Sequence, residues 1–110
     1  MTVIEYGSDG QHVKLSLKGH AEYASKDDVV CAAVSTLTYT LINFLDDRTG
    51  KIKDLGYYEA PGDIEIEFEI VDYPEWPQIC EFLLTGYEMI SEHYPDNVTV
   101  KRWDTLFCGM

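Results

Sequence analysis

The sequence predicts an α+β domain: a single, mostly antiparallel sheet in the order ββαββαβ, with two amphipathic helices packed on one of its faces. Three patterns predict it. Residues 64–70 alternate strictly between apolar side chains (Ile64, Ile66, Phe68, Ile70) and glutamates (Glu65, Glu67, Glu69). Two other stretches repeat apolar residues every three or four positions, the helical period. Turn-forming residues separate the remaining β-like runs.

Residues 1–6 are β-favouring, and Val13, Leu15 and Leu17 alternate with polar residues, with Ser8-Asp9-Gly10 between the two runs; this reads as a hairpin. From Asp28 the period changes. Val30, Val34, Leu37, Leu41 and Leu45 mark one face of a helix that should end near Asp47, before Thr49-Gly50. Residues 55–60 are a weaker strand, joined by Ala60-Pro61-Gly62-Asp63 to the alternating strand. Pro74 and Pro77 suit a first helical turn, and Ile79, Cys80, Leu83, Leu84, Tyr87 and Ile90 supply the second helical stripe, closed by Pro95. Val98 and Val100 fit a last short strand. Residues 1–110 are read as one domain, with 103–110 as an extra tail that has no place in this pattern.

Composition narrows the function. The 110 residues include 20 acidic against 8 basic side chains, a formal charge of −12. Such a field repels phosphate backbones and anionic membrane surfaces, so neither nucleic acid nor membrane is an expected partner, whereas a basic protein would be attracted. Acidity alone also serves solubility. No run is expected to be long and apolar enough to span a bilayer, and the start MTVIEYGSDG lacks a basic region followed by an apolar stretch, so a cytoplasmic location is expected. Cys31, Cys80 and Cys108 are odd in number and scattered, which favours reduced thiols over disulfides or a zinc finger.

Chemistry concentrates between Gly19 and Ser35, where a strand end leads into a helix start. Asp28 is a favoured helix N-cap, which puts Cys31 at the third helical position, near the positive end of the helix dipole. A thiolate is favoured there, and a thiolate is the nucleophile. His20 follows a strand, and a loop of about ten residues brings it back towards the helix start. A Cys and His so placed form an activated pair, with imidazole as base and helix-start N–H groups as candidate oxyanion donors. Ser35, four residues after Cys31, shares its helix face. The bland reading stands beside this one, because a cysteine in an apolar helix is often a small core residue and a histidine after a strand is often a surface residue. A zinc site of His20, Asp28 and Cys31 is disfavoured by the unlike directions of a cap and the residue three positions on. His12 and His93 read as surface residues. Glu65, Glu67 and Glu69 read as the wet side of a sheet, and Tyr57, Tyr58, Tyr73, Trp76 and Tyr87 as core or subunit contacts.

The motif Gly19-His20-Ala21, followed by Asp28-Val29-Val30-Cys31-Ala32-Ala33-Val34-Ser35, resembles the ribosomal-processing cysteine protease (Prp) family, whose pattern is Gly-His-Ala, a glycine-containing loop, then Asp-Ile-Val-Cys-Ala-Ala-Val-Ser. The resemblance extends in element order over about residues 1–102. It implies a bacterial, homodimeric cysteine endopeptidase that removes a short N-terminal extension from a ribosomal large-subunit protein, without a cofactor or metal. It further implies Cys31 as nucleophile and His20 as base, with Asp28, Ser35 and Gly19 in supporting positions. Two features depart from the family pattern. The loop between His20 and Cys31 is one residue shorter and carries no glycine, and the chain continues beyond Arg102. A catalytically inactive dimeric binding module of the same fold is the alternative; intact Cys31 and His20 favour the enzyme.

Overall fold

Strand pairing follows the alternation. The computed structural model describes residues 1–26 and 28–103. Strands β1 (Thr2–Asp9) and β2 (His12–Lys18) form the first hairpin, with the reversal at Gly10 and Gln11, slightly later than the Ser8-Asp9-Gly10 turn expected. Helix α1 (Val29–Asp46) follows, then β3 (Ile52–Ala60), β4 (Asp63–Ile70), helix α2 (Trp76–His93) and β5 (Val98–Trp103). The sheet order is β3-β4-β2-β1-β5, antiparallel except for β1 and β5. Two antiparallel steps make β4 run the same way as β1. The crossover through α2 therefore returns the chain parallel to β1 at the far edge.

The register sorts the side chains. Ile4 lies opposite Leu17, Tyr6 opposite Leu15, and Leu15 opposite Ile66, so one apolar face is continuous across three strands. On the reverse face Lys14 and Glu65 approach to 3.8 Å, Lys18 and Asp63 to 3.1 Å, and Lys53 and Glu69 to 3.6 Å. This is the wet side read from the glutamate ladder. Water screens such pairs, and they add little to stability. Truncating a buried leucine costs about 2–5 kcal/mol, so the helix-covered face decides whether the chain folds.

That face is covered by Val30, Val34, Leu41, Ile42 and Leu45 of α1 and by Trp76, Cys80, Leu83, Leu84 and Tyr87 of α2. The two helices are joined by a buried polar contact. Thr38 donates its hydroxyl proton to the Val34 carbonyl oxygen at 2.8 Å, leaving its oxygen to accept from the Tyr87 hydroxyl at 2.7 Å. Burial, set against that bond, pushes the Tyr87 phenol up.

Three expectations need correction. β3 begins at Ile52, three residues early; a bulge between Lys53 and Gly56, with Asp54 at φ 55°, breaks the alternation that would have marked it. Trp103 closes β5 and donates to the Glu5 carboxylate at 2.8 Å, so it belongs to the sheet and not to a tail. The rest of that tail, with Cys108, lies outside the described residues. Of the aromatic residues read as core or subunit contacts, Tyr73, Trp76 and Tyr87 are core, and Tyr57 and Tyr58 are exposed on the single chain, which leaves the second alternative for them. Finally, α1 is 18 residues with a mean hydropathy of 1.5, long and apolar enough by composition to cross a membrane, contrary to the expectation above. Its apolar stripe is nevertheless packed against the sheet, as the core helix of a globular fold requires.

Candidate active site

The start of α1 is organised by one carboxylate. Asp28 is the N-cap, and its Oδ1 accepts the Val30 and Cys31 N–H groups, each at 3.0 Å. Its Oδ2 reaches backwards and accepts the N–H groups of Tyr23 at 3.0 Å and Ala24 at 3.2 Å. One side chain thus caps the helix and fastens the preceding loop to it. These backbone donors, that of Cys31 foremost, hold the Asp28 carboxyl below the usual carboxylate range. The cap leaves Cys31 as the third residue of α1, as its spacing predicted. With both oxygens of Asp28 engaged by N–H groups, the carboxylate is a poor metal ligand.

The segment bearing His20 is fixed by its backbone. Gly19 donates its N–H to the Gly62 carbonyl oxygen at 2.8 Å, and its own carbonyl accepts the Thr2 hydroxyl at 3.0 Å. Asn97, at the entry to β5, donates its side-chain amide to the Ala21 carbonyl oxygen at 2.9 Å. The Ala21 N–H then points at the Cys31 sulfur, 3.3 Å away. Gly19 sits at φ 89°, and a side chain there would run into the Met1 carbonyl oxygen, so only glycine suits the position. Gly62, at φ 70°, leaves room for the imidazole: a Cβ on it would lie 3.0 Å from His20 Nε2.

These elements enclose a cleft of about 400 Å³. Cys31, Ser35 and Tyr39 form one wall, spaced four residues apart along α1; the β3–β4 turn from Glu59 to Asp63 forms the other, and Gly19 with His20 closes an end. Four of the five residues singled out from the sequence, Gly19, His20, Cys31 and Ser35, line it, while Asp28 stands behind them as cap and loop anchor. Among the described residues the Cys31 sulfur takes a hydrogen bond from Ala21 and none from His20. The N–H groups of Val30 and Cys31 are engaged by the Asp28 carboxylate, and the Ala21 N–H is the donor aimed at the sulfur. Sequence reading missed Thr2, Tyr39, Glu59, Gly62 and Asn97. Asn97 lies 76 positions from its partner, and no local pattern marks such a contact. Gly62 was visible only as a turn residue.

The sequence model for cysteine protease Prp matches residues 1–99. A ribosomal processing cysteine protease Prp of Staphylococcus aureus is 24% identical over 96 residues, spanning 86% of this chain and 91% of the relative. In the crystal structure of an essential ribosomal processing protease Prp from S. aureus with a covalently linked product peptide, the fold agrees with a TM-score of 0.75 at 24% identity, covering 94% of this chain and all of that one. A Streptococcus mutans protein of known structure agrees with a TM-score of 0.70 at 25% identity over 96% of each chain. With a matching family model over nine-tenths of its length and the same α+β fold, the chain belongs to the cysteine protease Prp family.

Proposed function

We propose that this protein is a bacterial cysteine endopeptidase that acts in the cytoplasm and removes a short N-terminal extension from a ribosomal large-subunit protein. The observation that carries this reading is the meeting of Cys31 and His20 in one cleft, with a backbone N–H directed at the sulfur, in a chain of the Prp family. The S. aureus relative is named for ribosomal processing and is known with a substrate peptide. The charge of −12 suits a basic ribosomal substrate.

The chemistry follows from the residues present. His20 accepts the Cys31 proton, and the thiolate attacks the scissile carbonyl carbon to give a tetrahedral oxyanion. The Ala21 N–H, freed from the sulfur as the sulfur becomes bonded to carbon, is then available to that oxyanion. The imidazolium then protonates the leaving amine and a thioester remains. Water, deprotonated by His20, hydrolyses it and restores the thiol. Ser35 borders the nucleophile one turn along α1, Gly19 sets the backbone that presents His20, and Asp28 positions Cys31 through its cap.

The protein is further read as a homodimer. The glutamate–lysine face of the sheet is wet, but the outer side of the helices carries an apolar groove of about 400 Å³ lined by Leu37, Leu41, Phe44, Ile79, Phe82 and Leu83. Phe82 is 83% exposed beside it, a large apolar side chain well placed to enter the groove of a second copy. Light scattering should give a dimer mass for the wild type and a monomer mass for Phe82→Glu. A monomeric wild type at tens of micromolar overturns this assignment.

The enzymatic reading is tested by incubating the purified chain with peptides spanning the extended N-termini of ribosomal proteins from its own host and reading cleavage by mass spectrometry. The wild type should cut, Cys31→Ala should not, and His20→Ala should be slower by roughly 10² or more, with partial recovery as pH is raised. Binding without a cut would replace the enzyme by a binding module of the same fold. A fully active His20→Ala would sink the Cys-His mechanism.

A further inference from the structure

The cleft is longer than the chemistry requires. From Cys31 to Tyr39 its helical wall runs eight residues, about 12 Å at the α-helical rise. An extended peptide advances about 3.3 Å per residue, so a chain lying along this wall with its scissile carbonyl at Cys31 would bring a side chain three or four residues away to the Tyr39 end. Two carboxylates stand on the opposite wall, Asp63 and Glu59. Asp63 is already paired with Lys18 at 3.1 Å. Glu59 is different. Among the described residues its carboxylate forms no ion pair, and it stands close enough to Tyr39 to push that phenol up.

Tyr57 lies two residues before Glu59 on the edge strand β3, on the same face of the sheet, and is 59% exposed. An unpaired carboxylate flanked by two phenols is a setting in which a lysine or arginine gains both an ion pair and contact with an aromatic ring. We infer that Glu59, which lines the cleft with Tyr39, is a specificity residue that takes a basic side chain of the peptide substrate three or four residues from the scissile bond. This rests on the protease reading of the Cys31 cleft and adds to it the class of side chain that the distal end selects.

A lysine walk tests it. A neutral fluorescein-labelled dodecapeptide of Gly, Ala, Ser and one Phe is made with a single Lys at each position in turn, and binding to full-length Cys31→Ala is followed by anisotropy at low salt. One or two positions should bind about three- to tenfold more tightly than the neutral parent, and the gain should vanish at molar salt. Glu59→Gln should flatten the walk while binding the neutral parent as before, Glu59→Lys should favour a Glu walk instead, and Tyr39→Phe should reduce the gain in part. Where wild-type protein cuts the peptides, the preferred Lys should lie three or four residues from the cut. A flat walk, or a maximum that survives Glu59→Gln, overturns the assignment. If the wild type cuts neither these peptides nor the ribosomal N-terminal peptides, the protease reading alone has failed, because the anisotropy walk needs no turnover.

Discussion

Cys31 and Cys80 are the same residue type on the two helices of one fold, and they meet opposite surroundings. Cys31 is the third residue of α1, half-buried in the cleft wall, with the Ala21 N–H directed at its sulfur. Cys80 is the fifth residue of α2, 5% exposed and packed in the core near the Tyr6 hydroxyl. Burial pushes the Cys80 thiol up, and the Glu81 carboxylate pushes it further, against the opposing effect of the Tyr6 hydroxyl. Burial does the same, more strongly, to the Tyr6 phenol. A thiolate at Cys80 would give up solvation with little more than the Tyr6 hydroxyl in return, whereas the Cys31 sulfur lies in a cleft at a helix start with an N–H group directed at it. A cysteine's chemistry is therefore set by where its helix begins and by what the fold brings to its sulfur.

The largest expected difference is in alkylation. In the folded protein at neutral pH, iodoacetamide should modify Cys31 about 10²-fold faster than Cys80, because reaction at Cys80 waits for the core to open. Cys31 should also lead Cys108. Peptide mapping by mass spectrometry after timed quenching reads all three sites, and denaturant should bring their rates together. Equal rates in the folded chain would remove the contrast between the two helices and with it the physical basis of the site.

The smallest effect should come from Asp28, which supports the Cys31 environment without touching the cleft. Its folded-state ionisation lies below the ordinary carboxylate value, so the fold favours the charged form. That contribution is fully present above the unfolded value of about 4 and is lost as pH falls through the lower folded value. Asp28→Asn keeps a capping side chain and loses the charge. Thermal melts should therefore place it a little below the wild type at pH 7, with the gap closing in acid. Asp28→Ala, which loses the cap and the loop anchor together, should melt lower still. A gap between wild type and Asp28→Asn that persists unchanged in acid would show that the charge is not what the four N–H donors hold. Unchanged turnover in Asp28→Asn would make Asp28 a cap alone, and lost turnover with retained stability would put its carboxylate in the chemistry.

What the sequence determined by itself is local. The alternation at Ile64, Ile66, Phe68 and Ile70 specifies a strand with one dry face, the spacing of Val30, Val34, Leu41 and Leu45 specifies a helix, and Asp28 three residues before Cys31 specifies where that helix begins. Each of these depends on residues within a turn or two, so chain geometry alone makes it legible. The Gly19-His20-Ala21 motif marked the other half of the site. Only the tertiary structure decided what surrounds the motif: the Gly62 turn against the imidazole, Asn97 on the Ala21 carbonyl, the Ala21 N–H on the sulfur, and Glu59 across the cleft from Tyr39. It also decided that Asp28 would engage the N–H groups of Val30 and Cys31. These contacts join strands, turns and helices tens of residues apart. Their partners are chosen by sheet register and by the packing of α1 on the sheet, for which no short-range pattern in the sequence codes.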